Sequence, residues 1–172
     1  MTLTPSLRKL ALTAHITFSV GWVGAVFAFL ALAIAGVRSG DDRVVRGSYF
    51  AMNLLVRWVI VPIALASLLS GLISALGTKW GLFRQYWVLI KLVLTIIAVA
   101  VLLVQLEPIR ELAAAAADPM SSMAQLPEKQ RPLIHAGGGL IVLLLVQVLG
   151  VYKPRGMTPY GWRKEHETKA PS

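Results

Sequence analysis

Residues 10–37 read LALTAHITFSVGWVGAVFAFLALAIAGV, a run with no formal charge. About 20 apolar residues, rising 1.5 Å each, cross the roughly 30 Å hydrocarbon core of a bilayer, so this stretch is long enough to span one. Its apolar residues are continuous rather than alternating, which is the pattern of a helix and not of a barrel strand. Three further runs follow, over about 53–78, 87–106 and 132–152, with only Arg57 and Lys91 as embedded formal charges. The expected fold is therefore all-α: an integral membrane four-helix bundle forming a single domain over residues 1–172. A long connection over 107–131 and a tail over 153–172 complete it.

Composition points the same way. Of 172 residues, 56% are hydrophobic and only 15% charged, against about a quarter charged in a soluble domain. The length excludes a multidomain enzyme. The absence of cysteine excludes disulfides, thiolate metal sites and iron–sulfur clusters. No Ser-His-Asp set, Gly-rich phosphate loop or zinc-ligand spacing is present, so hydrolase and nucleotide-dependent activities have no support. Arg8 and Lys9 before the first run, and Ala31-Leu32-Ala33 within it, resemble a signal peptide. The run is too long for a signal h-region of about 7–15 residues, and an uncleaved span is expected.

The net charge of +9 suggests nucleic acid only until its distribution is considered. Nine basic residues fall in the N-terminal tail, the second connection and the C-terminal tail, with two acids; six fall in the first and third connections, with six acids. That asymmetry places both termini in the cytoplasm, predicts a multi-pass protein of the bacterial inner membrane whose partner is the lipid bilayer, and leaves nucleic acid without a role. In the third connection Glu111-Leu112 precedes five alanines, which predicts a short outer helix stopped near Pro119. The tail after Tyr152 carries Pro, Gly, Lys and Arg with Tyr160 and Trp162, and fits either a surface-lying segment or disorder.

The informative residues are those that lipid rejects, since an embedded ionisable group is a functional-site hypothesis by default. The topology sorts them into two layers. His15, Lys91 and Gln147 share the inner one; Asn53, Arg57, Gln105, Glu107 and His135 share the outer one. Arg57 and Glu107 suit either a salt bridge or binding of an anion such as a propionate. His15 and His135 are the candidate metal ligands. His15, Ser19 and Trp22 share a helix face, and Gly138 and Gly139 strip the face His135 uses. Such a bare face admits a flat macrocycle or another helix. The two histidines lie on the order of 20 Å apart along the membrane normal, too far for one bis-histidine iron. Ser67, Ser70, Gly71 and Ser74 form a small-residue stripe read as a packing seam, and Met120 and Met123 offer thioethers to copper(I).

The stretch His15-Ile-Thr-Phe-Ser-Val-Gly-Trp-Val-Gly24, Pro62 with Gly71 after it, and Trp87-Val-Leu-Ile-Lys91-Leu92 resemble the HemJ-type membrane protoporphyrinogen oxidases. In those proteins a first-helix histidine and a third-helix lysine are associated with haem b binding. With His135-Ala-Gly-Gly-Gly139 and Tyr152-Lys-Pro-Arg-Gly156 included, the chain resembles a bacterial family of predicted integral membrane proteins without assigned function, itself similar to the copper-resistance D membrane proteins. The resemblance implies haem b or a related tetrapyrrole in the bundle and a redox or electron-transfer role with an electron-transfer partner. His15 would be axial ligand, Lys91 a second ligand or a carboxylate partner, and His135 with Arg57 a second site. The His135 glycine run and the long outer connection lie outside the oxidase pattern, so haem binding is implied without the oxidase reaction. The rival reading is a non-enzymatic component for copper handling, transport or partner binding, and a homo-oligomer is open to both. The charge count is checked by tagging each end: both tags should be protected from a membrane-impermeant reagent in intact cells, and labelling of both from outside would overturn the orientation.

Overall fold

A computed structural model describes residues 4–77, 82–122 and 129–169, with side chains as far as Lys164. Helix α1 spans Pro5–Arg38, α2 Asp42–Leu55, α3 Val61–Leu76, α4 Tyr86–Val104, α5 Leu106–Ala117, α6 Arg131–Tyr152 and α7 Pro159–Lys169, with a π-helical turn at Val56–Ile60 joining α2 to α3. Four stretches are long and apolar enough to cross a membrane: Pro5–Arg38, Asp42–Leu76, Tyr86–Ala117 and Arg131–Tyr152. An even number of crossings returns both termini to one end of the bundle, here the terminal end; the opposite one is the loop end. The all-α membrane bundle read from the apolar runs is the observed architecture.

The helices outlast their apolar runs. At 34 residues α1 is about 50 Å long, well beyond the hydrocarbon core. Thr4 caps it, accepting from the Leu7 amide, with Pro5 in the first turn. Only Ser39, Gly40 and Asp41 separate α1 from α2, because Asp41 caps α2 by accepting from the Arg43 amide at 2.8 Å, with Asp42 in the first turn. The second helical stretch thus begins at Asp42 rather than near residue 53. Of the charges read as a connection, Arg38 ends α1, Asp41 caps α2 and Asp42, Arg43 and Arg46 lie in its first turns, because an apolar run reports immersion in lipid and not helix length.

Two prolines set the irregularities. Pro62 has no amide hydrogen to offer Trp58, and Trp58 lies in the π-turn; Pro108 has none for Val104, the last residue of α4. The chain breaks at Gln105 and resumes as α5, the short helix expected from the alanine run, which ends at Ala117 before Pro119.

The largest fully buried side chains, Tyr49, Met52 and Val56, lie on the α2 side. There Val45, Ile109, Leu112 and Ala116 join Phe29 and Ala33 of α1 in one apolar cluster. Ala33, from the stretch resembling a cleavage site, is buried in that core. Arg46 ties the layer down, donating to the carbonyls of Ala116, Asp118 and Ser121 at 2.9, 2.7 and 2.7 Å, where α5 leaves its last carbonyls without helical partners. The Asp118 carboxylate accepts from the Met120 amide and the Ser121 hydroxyl, which hold its pKa below the ordinary value.

The tail is docked rather than loose. Tyr86 donates its amide to the Gly156 carbonyl, Thr158 donates its amide to the Arg84 carbonyl, and the Thr158 hydroxyl donates to Phe83. A Cβ at Gly161 would come 2.4 Å from the Arg84 oxygen, so only glycine allows α7 this close to the second connection. Replacing Arg46 with alanine removes three hydrogen bonds from a charged donor and should destabilise the protein by about 2 kcal/mol, read as a shifted denaturation midpoint in detergent. Gly161→Ala should leave that midpoint nearly unchanged and expose the tail to protease.

Candidate functional site

The bundle encloses two compartments of opposite character. Towards the terminal end each of four helices contributes one stripe to a small polar pocket. α1 brings His15, Ser19 and Trp22; α3 brings Ser67; α4 brings Lys91 and Thr95; α6 brings Leu143, Val146 and Gln147. The spacings are three, four or seven residues, which puts each stripe on one helix face. The inner layer of His15, Lys91 and Gln147 is thus brought together around one space.

His15 is held firmly. Its Nδ1 lies 3.1 Å from the Ser67 carbonyl oxygen and 3.3 Å from Ser70 Oγ. A carbonyl only accepts, so in the neutral ring Nδ1 carries the hydrogen and Nε2 keeps its lone pair. The Ser70 hydroxyl donates back to the Ala66 carbonyl at 2.7 Å, and Ser19 and Ser67 share a hydrogen bond of 2.9 Å. A Cβ at Gly71 would sit 2.9 Å from His15 Cε1, and one at Gly150 would sit 2.7 Å from Lys91 Nζ. His15 and Lys91 are thus each seated against a glycine. Ser67, Ser70 and Gly71, read as a packing seam, therefore form the seat of His15. Their positions, three and four residues apart, carried the signal, but nothing local says which residue they face. Ser74, the last of the stripe, has a buried hydroxyl oxygen without a partner among the described residues.

The second compartment lies nearer the loop end. It is an apolar cavity of about 340 Å³ walled by residues of α1, the π-turn, α4 and α6, with Gln105 and His135 as its polar members. Trp22 and Leu143 border both compartments and form the wall between them. Ile97, Val101 and Ile134 line the cavity and are also exposed, so it opens between α4 and α6 on the side that faces lipid. A Cβ at Gly137, Gly138 or Gly139 would meet nothing within 4 Å. Among the described residues nothing therefore stands where side chains at these glycines would point, and Gly138 and Gly139 line the cavity.

His135 Nδ1 lies 2.9 Å from the Arg131 carbonyl, so its Nε2 too keeps the lone pair. Gln105 is 6% exposed, and among the described residues only its backbone makes hydrogen bonds. Gln105 thus lines the cavity with a side-chain amide that has no hydrogen-bond partner among the described residues. Arg57 is exposed in the π-turn, whose Val56 and Ile60 line the cavity. It forms no bridge to Glu107, which pairs with Arg110 at 3.1 Å one turn along α5.

Room decides what each compartment can hold. The polar pocket measures about 30 Å³, enough for one or two waters, so in this packing no macrocycle fits between His15 and Lys91. The apolar cavity falls in the roughly 300–1,000 Å³ range of small-molecule sites, and its open side lets a ring edge protrude. Both histidines have the arrangement of metal-ligating imidazoles, one nitrogen fixed by a carbonyl and the other bare. Among the described residues no three His, Asp or Glu groups converge as a metal site, though haem requires only an axial ligand. For copper, Met120 is 92% exposed and Met123 lies outside the described residues. Comparison with protein-family models, curated proteins and solved structures finds no match. Because its side-chain amide makes no hydrogen bond among the described residues and lines an apolar cavity, Gln105→Leu should leave the ligand-free protein as stable or more stable, by up to about 1 kcal/mol, measured by chemical denaturation in detergent; a loss of that size would show that Gln105 has a structural partner.

Proposed function

We propose that this protein binds haem b or a related tetrapyrrole in the cleft between α4 and α6, as a multi-pass protein of the bacterial inner membrane with both termini in the cytoplasm and a redox or electron-transfer role. The observation that carries the reading is the open glycine face. Among the described residues Gly138 and Gly139 border a cavity and meet nothing where a side chain would point, so the bare strip on α6 has room for an occupant from outside the chain. A second helix would want a flat seam, whereas this surface is concave and is lined by Gln105, whose side-chain amide has no hydrogen-bond partner among the described residues.

His135 would be the axial ligand through Nε2, with the Arg131 carbonyl fixing its tautomer. Arg57, beside the cavity wall, would meet a carboxylate of the macrocycle, and Gln105 would hydrogen-bond a polar edge. When bound, haem supplies one-electron chemistry; the chain supplies the ligand, a dry surround and access from the bilayer. The axial role thereby passes from His15 to His135, because the available room is beside His135.

The test is an absorption spectrum of protein purified in mild detergent from haem-replete cells. A Soret band is expected, lost in His135→Ala and retained in His15→Ala. Loss in His15→Ala alone would move the ligand to the other compartment. A colourless protein that stays empty on haem addition would sink the reading, as would a colourless dimer that Gly138→Leu dissociates.

A further inference from the structure

We infer that a water molecule held between Lys91 and His15 makes the polar pocket a proton-transfer pair, in which a proton is exchanged between two groups at one depth of the bundle. The inference is independent of the tetrapyrrole reading, since it concerns the other compartment. Lys91 offers three N–H donors and no acceptor, and among the described residues its ammonium makes no hydrogen bond or ion pair. His15 offers the reverse: Nδ1 is committed to the Ser67 carbonyl, so Nε2 is an acceptor in want of a donor. Both line a space of about 30 Å³, together with Gln147, which suits one or two waters and nothing much larger.

The occupant must accept from one side and donate to the other. A halide would satisfy Lys91 and leave the His15 lone pair facing a negative charge. A metal cation would suit His15 and be repelled by Lys91. Water does both. No carboxylate among the described residues lines the pocket; the charges acting on the pair are each other and Lys153, just beyond α6. The transfer balances without any further reagent. A Lys91 N–H bond breaks as an O–H bond forms on the water, a second O–H bond of that water breaks, and an N–H bond forms at His15 Nε2. One positive charge has then moved from lysine to imidazolium. Gly71 and Gly150, where side chains would strike His15 and Lys91, are what leave the two groups their places.

Solid-state NMR of the full chain in lipid bilayers, labelled with ¹⁵N-histidine, tests this, with His15 assigned by the signal that vanishes in His15→Gln. The expected spectrum shows Nδ1 protonated, Nε2 bare, and magnetisation passing from water protons to Nε2. In Lys91→Met the water contact should fall to background while the tautomer persists. In Gly150→Ala, which keeps the lysine but crowds its ammonium, the contact should fall likewise. An Nε2-protonated tautomer, no water contact in the unmodified protein, or a contact unchanged in both variants would each overturn the inference. The first two need no variant to fold.

Discussion

Hydrocarbon offers no hydrogen-bond partner, and the rest of this structure follows from that. Every backbone amide and carbonyl that crosses must be satisfied by the chain itself, which leaves helices as the economical solution. Where a proline withholds an amide hydrogen the chain adapts locally, with a π-turn before Pro62 and a break ahead of Pro108. The same rule governs side chains. Ser48, Ser70 and Thr95 each turn a hydroxyl back onto the carbonyl four residues earlier, and His15 spends Nδ1 on a carbonyl of a neighbouring helix. Against that background a polar group left without a partner is a signal; among the described residues Asn53 Oδ1 and Ser74 Oγ are buried without one, and the side chains of Gln105, Gln147 and Lys91 line cavities without a hydrogen bond.

The fold was legible because lipid acts on every residue of a span. The four apolar runs and the alanine helix could be located from composition alone, and Lys91, His15 and Gln147 could be set at one depth by counting. Helix ends were less legible, because the loop-end layer is held by amphipathic packing outside the hydrocarbon. Asp41 and Asp42 read as a connection by charge, yet as a cap and first turn they begin a helix. The docked tail was hidden for a similar reason, since the pairing of Tyr86 with Gly156 and the closeness of Gly161 to Arg84 join segments about 75 residues apart in the chain.

The candidate sites were legible in membership and not in volume. Depth counting groups His15 with Lys91, and the structure puts them in one pocket. It cannot say that two glycines seat them or that the space between them is the size of a water. Nor can it choose between a helix and a void beside His135-Ala-Gly-Gly-Gly139. That depends on where α4 sits along α6, which periodicity within one helix does not encode.

The cavity beside that glycine run also has an energetic consequence. Voids in protein cores cost about 24 cal/mol per Å³, so 340 Å³ left empty would cost on the order of 8 kcal/mol, comparable with the whole stability of a domain. A cleft open to the bilayer does not stay empty, because acyl chains can enter and recover most of the lost contact. They cannot hydrogen-bond the Gln105 amide or the His135 lone pair, so those groups are left to whatever water reaches them, as it can at the exposed His135. An occupant with an apolar ring and polar atoms at its edge recovers both the contact and the hydrogen bonds. The apolar walls would therefore suit any lipophile, and Gln105 and His135 would favour one with polar atoms at its edge.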